Sequence, residues 1–485
     1  LALVVGWVIV SVMGSVVSSG WVARAEPSLP DSSRRVLRYD RRMDHDAQMT
    51  DPSFPSVPES EPTALPEPGR SGPRVALFGL GTVGTAVASR LLDPAWATAV
   101  SARGQAAPRL VGIADLDLET DRGLSIPDDV RQVTDYRELL DADVDVVIEL
   151  IGGSGAAGQA VLGAFEAGLS VVTANKDLIA RRGSELEEAA RASGRSLRFE
   201  AAVLAGVPVL GPLVDELSAS EVREIRGIFN GTTNYILSTM LSDAREYAEV
   251  LAEAQARGYA EADPVSDVEG WDAAYKLVIL SRLAWGGWID IDAVRRSAPA
   301  VGGEAADGIT GIKRSHMSVA ARLGLSLKLV SRAERTGQRV RGAVTPMALK
   351  GDSRLGATGD VTNYIEFSAD PAGRVAMTGP GAGGPATSSA ILADVLALGA
   401  GAGSTWGILP PADGLEIEDD LGGERGWLVV IEGLGEAGFP EGARELALAT
   451  TDEGFVSKPT SLTAMTAKLG LFERPMIVYP VLADA

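Results

Sequence analysis

A short apolar run, Arg74-Val75-Ala76-Leu77-Phe78, leads straight into Gly79-Leu80-Gly81-Thr82-Val83-Gly84 and then into an Ala/Val/Leu-rich stretch ending near Leu92. The order is strand, glycine turn, helix. Glycines at this spacing permit a tight turn and let the backbone approach a pyrophosphate, whose charge sits at the helix amino terminus. The glycine pattern alone is weakly diagnostic, but here both flanks have the required form. The six residues Gly79, Leu80, Gly81, Thr82, Val83 and Gly84 are therefore expected to cradle a dinucleotide.

Later segments extend this into a Rossmann-type half. A second strand is expected at Leu110-Val111-Gly112-Ile113-Ala114, ending in Asp115, after a loop from Asp93 to Pro108. An acid there bonds a ribose 2′-hydroxyl and repels a 2′-phosphate, which favours NAD, although Arg122 or Arg131 would suit a 2′-phosphate and NADP stays open. A buried strand at Asp145-Val146-Val147-Ile148-Glu149-Leu150 closes on Gly152, whose bare backbone is expected to lie against the cofactor. A helix follows near Gly158 to Ala167. Ser170-Val171-Val172-Thr173-Ala174-Asn175 then ends at Lys176, which is placed to point into the ligand crevice, or else simply opens the next helix at the surface.

Composition removes other chemistries. The 485 residues carry a net charge of −21 and no long Lys/Arg cluster, so nucleic-acid binding is set aside. No cysteine is present, which excludes disulfides, thiolate catalysis and Cys-bound metals, and the only histidines are His45 and His316. Proton chemistry is thus expected from Lys, Asp, Glu or water. Residues 1 to 22 are uncharged and long enough to cross a bilayer, and a Pro/Ser/Asp/Arg-rich stretch follows to about Pro73. A basic amino-terminal region is missing, so we read residues 1–72 as a disordered or non-native leader, with Met43 or Met49 as a start, rather than as a working membrane anchor.

The other constraining stretch is Gly258 to Lys276, with Glu261 just before the Asp263-Pro264 turn. A helix is expected from about Gly270 to Trp285 with one apolar face, on which Asp272 and Lys276 stand four apart. By itself such a pair is usually a solvated surface ion pair. Together, Ala254-x-x-x-Gly258, Asp263-Pro264, Asp267-Val268-x-Gly270-x-Asp272 and Lys276 resemble the signature of homoserine dehydrogenases. Thr173-Ala174-Asn175-Lys176, Asn230-Gly231-Thr232-Thr233-Asn234 and the loop Thr378 to Thr387 look like further pieces of that family. The resemblance runs nearly continuously from Pro73 to about Ala400.

The resemblance implies an α/β chain: a Rossmann-type dinucleotide-binding domain at 73–200, an α+β substrate and dimerisation domain at 201–378, and a return segment at 379–405. Residues 406–485 form an extension of unknown role; many family members carry a βαββαβ regulatory domain here, but its usual Pro-Gly turn is missing after the first strand at Gly426 to Ile431. It further implies NAD(P)-dependent interconversion of L-homoserine and L-aspartate 4-semialdehyde in threonine, methionine and isoleucine biosynthesis, in the cytoplasm, by a homodimer or higher homo-oligomer. Lys276 and Lys176 would be catalytic, Glu261 and Asp272 would hold the substrate, and Gly258, Gly381 and Gly383 would join the cofactor site. Glu200 with Val203, Ala205 and Val207 would hold a sodium or similar monovalent cation. Two alternatives are another amino-acid-pathway oxidoreductase, such as an aspartate dehydrogenase-like enzyme, and a silent dinucleotide-binding redox sensor.

Overall fold

The computed structural model describes residues 72–482 apart from 142, 302–304, 435–438, 440 and 470–474. The apolar leader, His45, Met43 and Met49 lie outside the described residues.

Six strands form the first sheet: β1 (Arg74–Phe78), β2 (Arg109–Ala114), β3 (Arg131–Val133), β4 (Val146–Glu149), β5 (Ser170–Thr173) and β6 (Leu197–Arg198). All pair in parallel, in the order β3-β2-β1-β4-β5-β6. Every residue of β4 is buried, as a parallel strand covered on both faces requires. The strand order reverses between β1 and β4, and the crevice outside the strand ends at such a switch point is where these sheets bind ligands. Four helices accompany the sheet: α1 (Thr82–Leu91), α2 (Pro94–Ala102), α3 (Ala156–Glu166) and α4 (Lys176–Ser193). Helix α2 falls in the expected loop from Asp93 to Pro108. Its start is a local device: the Asp93 side chain accepts from the Ala95 amide and Pro94 opens the first turn. Strand β6 is only two residues long, because Glu200 begins a 3-10 turn, Glu200–Ala202.

The chain then forms α5 (Leu210–Val214), β7 (Glu221–Ile228), α6 (Gly231–Ser242), α7 (Tyr247–Ala256), α8 (Val265–Val268), α9 (Trp271–Trp285), β8 (Gly287–Trp288), β9 (Ala300–Val301) and α10 (Arg314–Arg322). Four long strands follow, β10 (Leu325–Thr336), β11 (Arg339–Lys350), β12 (Thr362–Asp370) and β13 (Gly373–Pro380). They build an antiparallel run β13-β12-β7-β10-β11 on which α6 and α9 pack. Helix α9 is not the half-exposed helix expected. It is enclosed on all sides, with 13 of its 15 residues buried, and its polar residues are kept by buried partners. Gly270 (φ +83°) and Gly286 (φ +84°) cap its two ends in the left-handed conformation that glycine adopts freely.

Helix α11 (Gly384–Gly399) returns to pack on α1. Beyond it lie β14 (Asp413–Gly414), β15 (Glu416–Asp419), β16 (Trp427–Ile431), α12 (Glu441–Leu446), β17 (Ala447–Thr450), β18 (Gly454–Ser457), α13 (Leu462–Leu469) and β19 (Met476–Leu482). From β16 onward this is a βαββαβ unit with strand order β19-β16-β18-β17. The missing Pro-Gly turn thus did not signal a different architecture. Strand β19 also pairs with β11, Val481 beside Ala348, so the two antiparallel regions share one sheet.

Candidate active site

At the dinucleotide end, each glycine of the turn has a different reason to be glycine. Gly79 has φ +97°, and a Cβ there would stand 2.5 Å from the Leu150 carbonyl oxygen. A Cβ at Gly84 would meet the Gly79 carbonyl oxygen at 2.1 Å, so helix α1 sits tightly on the turn. Nothing lies within 4 Å of a Cβ at Gly81, which caps α1 without a side-chain bond and leaves an open face at the helix amino terminus. Gly152 (φ +83°) is open in the same way beyond β4. The turn therefore fits a pyrophosphate, and Thr82 and Val83 begin the helix that faces it.

Asp115 ends at the expected place, but it does not stand free. One carboxylate oxygen accepts the Leu80 amide of the glycine turn, and the other accepts the Asp117 amide at 2.8 Å. Arg122 lies between Asp115 (3.7 Å) and Asp117 (3.6 Å). A 280 Å³ pocket lined by Leu80, Leu118, Arg122, Ile126 and Gln132 adjoins this trio. Glu149, which the sequence reading left unassigned, is fully buried at the end of β4. It accepts from Thr173 Oγ1 (2.6 Å) and the Ile151 amide (2.8 Å), and burial raises its pKa despite those bonds. It ties the ends of β4 and β5 together beside the crevice.

The chemical centre forms where α4 and α9 begin. Asn175 caps α4, accepting from the Leu178 amide at 3.0 Å, and so fixes Lys176 as the first helical residue. Lys176 Nζ is 2.7 Å from Asp272 Oδ1, and Lys276 Nζ is 2.8 Å from Asp272 Oδ2. Lys276 also donates to the Phe229 carbonyl at 2.6 Å. Asn230 donates to Asp272 Oδ2 (2.9 Å) and to Asp267 Oδ1 (2.7 Å). One carboxylate thus gathers two ammonium groups. Asp272 is 2 % and Lys276 6 % exposed, whereas the Lys176 side chain is 40 % exposed at the mouth of the cleft. A solvated surface pair is thereby excluded for Lys276.

Burial is the largest influence on Lys276 and lowers its pKa; Asp272 opposes this and Lys176 adds to it. The Asp272 charge dominates at Lys176 and raises its pKa against desolvation. Burial would raise Asp272, but the two lysines together hold its carboxyl well below the usual range. For Asp267, burial and the neighbouring Asp272 charge push the pKa up. The far ends of the same helices are joined as well: Glu187 of α4 accepts from Arg282 of α9 at 2.7 and 2.9 Å, both groups being buried. The two lysine-bearing helices are therefore pinned at both ends.

A cleft of 560 Å³ opens over this centre, lined by both lysines, Val83, Gly258, Tyr259, Glu261, Asp267, Asp272, Asn230, Gly231, Thr232, Ala205, Gly381 and Gly383 among others. Thr232 does not cap α6; that role falls to Asn230, which accepts the Thr233 amide at 2.8 Å. Thr232 Oγ1 instead donates to the Tyr259 carbonyl at 2.7 Å, fixing the loop that carries Glu261. Asp272, expected to hold substrate, has its oxygens taken up by the lysines and Asn230. Glu261 is exposed to the cleft, and Asp267 has one carboxylate oxygen not engaged by Asn230.

Glu200 caps the start of α5: Oε1 accepts the Val209 (2.7 Å) and Leu210 (2.9 Å) amides and Oε2 the Gly211 amide (3.0 Å). Among the described residues no backbone amide donates to the carbonyls of Val203, Ala205 or Val207, all buried. Those carbonyls and the less engaged Oε2 are hard oxygen donors of the kind a monovalent cation takes. No group of three His, Cys, Asp or Glu able to hold a metal occurs among the described residues.

A glycine turn at a parallel-sheet switch point, opening on a cleft where two lysines share a buried carboxylate, is the arrangement of a dinucleotide-binding α/β enzyme. Comparison with known proteins gives the family. Residues 79–200 match the model for the homoserine dehydrogenase NAD binding domain, and residues 208–396 that for homoserine dehydrogenase. The homoserine dehydrogenase of Bacillus subtilis is 38% identical over 325 residues, covering 67% of this chain and 72% of the relative. That of Mycobacterium tuberculosis is 41% identical over 330 residues, covering 66% and 71%. A homoserine dehydrogenase structure from Thiobacillus denitrificans superposes with a TM-score of 0.74 at 27% identity, over 86% of this chain and 99% of that one. The chain belongs to the homoserine dehydrogenase family.

Proposed function

We propose that this chain interconverts L-homoserine and L-aspartate 4-semialdehyde with NAD(P), in the branch of amino-acid synthesis leading to threonine, methionine and isoleucine. The observation that carries this is the Lys176–Asp272–Lys276 bridge in the cleft beside the glycine turn. The dinucleotide is held by Gly79 to Gly84, Asp115, Gly152 and the loop at Gly381 and Gly383, and when bound it supplies the hydride chemistry. The residues of the chain orient the substrate and manage one proton at its terminal oxygen.

Lys276 gives that proton during aldehyde reduction and takes it during alcohol oxidation, since its lowered pKa makes it a better acid than an ordinary ammonium and allows a neutral form. Lys176, kept charged by Asp272, polarises the same oxygen. Asp272 acts through them, holding the two ammonium groups side by side. Glu261, with Asp267, receives the substrate ammonium. Gly231 and Thr232, at the start of α6, line the cleft, and their free first-turn amides suit the carboxylate.

NAD is the preferred cofactor. Arg122 is matched by two carboxylates, so the trio with Asp115 and Asp117 keeps a net negative charge that a 2′-phosphate would meet. A monovalent cation is held by Glu200, Val203, Ala205 and Val207, steadying the loop between the two halves. The two functional halves divide near residue 200, and a second copy completes the working oligomer.

The test is a steady-state assay of the purified chain with NAD and NADP against L-homoserine and L-aspartate, with the product identified. Turnover of homoserine to the semialdehyde is expected. Turnover of aspartate alone would point to an aspartate dehydrogenase-like enzyme, and cofactor binding with no turnover to a redox sensor.

A further inference from the structure

Asn363 lies on β12 with no exposed surface, and both of its side-chain polar atoms, Oδ1 and Nδ2, lack a hydrogen-bond partner. An unpaired buried amide is costly, and native interiors seldom keep one without a reason. Its neighbours suggest the reason. A Cβ placed on Gly381 would fall 2.2 Å from both Cγ and Nδ2 of Asn363, so the carboxamide is pressed against the backbone of the return loop. On its other side a Cβ on Gly231 would fall 3.3 Å from Oδ1 and 2.6 Å from the Val361 carbonyl oxygen. Asn363 is thus wedged between the first residue of α6 and the glycine loop, and both glycines line the cleft.

The loop has what the carboxamide lacks. Among the described residues the amides of Gly381, Ala382 and Gly383 donate to no backbone group, and Gly383 holds a positive φ (+109°) that glycine adopts freely. We propose that Asn363 is a positioning residue that latches the return loop: it gains its hydrogen bonds, Oδ1 from a loop amide and Nδ2 to a loop carbonyl, only when residues 381–383 close on a bound dinucleotide. The energy of satisfying the buried amide is thereby tied to cofactor binding. Because Gly231 starts the helix whose cap, Asn230, holds Asp272 and Asp267, the same wedge aligns the cofactor loop with the substrate centre. This rests on the reading of the chain as a dinucleotide-dependent enzyme.

Asn363→Leu keeps the branching and removes both unpaired polar atoms. The expected result is a melting temperature equal to or above wild type in the absence of cofactor, with the Kd for NAD raised about tenfold or more. A purely structural residue would behave oppositely, losing stability and leaving cofactor affinity alone. Because leucine is bulkier, hydrogen exchange on the wild-type full chain supplies a second reading: amides 381–383 should slow on adding NAD, and should not slow in Asn363→Ala at saturating NAD. Unchanged Kd in both variants, or equal protection of the loop in wild type and Asn363→Ala, would overturn the latch. No binding of NAD or NADP by the wild type would instead overturn the functional reading, and the latch with it.

Discussion

Replacing Asp272 by Asn removes one charge and almost no volume, yet two lysines depend on that charge. Lys276 is 6 % exposed, its ammonium stands 2.8 Å from Asp272 Oδ2, and Lys176 approaches Oδ1 at 2.7 Å. At an effective dielectric of about 20, a unit pair near 4 Å is worth about 4 kcal/mol. The amide dipole of asparagine returns only part of this, which leaves about 3 kcal/mol, or about a hundredfold in the protonation equilibrium of Lys276. Burial already lowers its pKa and Lys176 repels it, so the lysine sheds its proton rather than remain an unpaired buried cation. Aldehyde reduction at neutral pH should then fall by about 10²–10⁴ and recover in part as the pH is lowered. The assay is a pH-rate profile of reduced-cofactor consumption with L-aspartate 4-semialdehyde. A profile of wild-type height and shape in Asp272→Asn would mean that Lys276 does not depend on the Asp272 charge.

In the wild type the same group requires opposite limbs in the two directions: aldehyde reduction declines as pH rises through the lowered Lys276 pKa, whereas homoserine oxidation climbs, and parallel profiles would remove Lys276 from the proton step. Glu261→Gln should raise the homoserine KM with little change in that for the cofactor, and a change confined to the cofactor would mean that the substrate is misplaced. NAD should be favoured over NADP by about tenfold in kcat/KM, about 1.4 kcal/mol, with Asp115→Ser narrowing the gap; a preference for NADP that Arg122→Ala removes would reverse the assignment. Lys328 is buried, its partners among the described residues are Asn234 and Ser238, and its pKa is pushed down to about 8 by burial. A folded pKa below the unfolded one means stability rises with pH between about 8 and 10.5, by roughly 3 kcal/mol at most. Lys328→Met should flatten that rise in denaturant midpoints, and an identical rise in both proteins would show that Lys328 is not its source.

What the sequence displayed were features whose physical cause is local. The glycine turn could be read because strand, turn and helix are adjacent, and Asp272 with Lys276 because one helical turn brings them together. Lys176 reaching the same carboxylate could not be derived from spacing, since it depends on α4 meeting α9. The enclosure of α9 was hidden for a related reason: Asp272, Lys276 and Arg282 suggest a wet face until Glu187 and Lys176 are seen to supply their partners. Asp115 follows the second strand where the sequence puts it, but its bond to Leu80 and its proximity to Arg122 emerge only when the loop after β2 folds back. The carboxyl-terminal βαββαβ unit escaped because the expected signal was a turn motif, while the strand order rests on pairings such as Leu428 with Tyr479 and Val456. Asn363 carries no sequence mark at all. Its interest lies in what surrounds it.

If Lys276 handles the proton at the reacting oxygen, its loss must show in the turnover of Lys276→Ala and not in the affinity of that variant for NAD. In Lys276→Ala, kcat for homoserine oxidation should fall by about 10²–10⁴ with the Kd for NAD within about twofold of wild type. Near-wild-type turnover would contradict it and return the Asp272–Lys276 pair to a purely structural role.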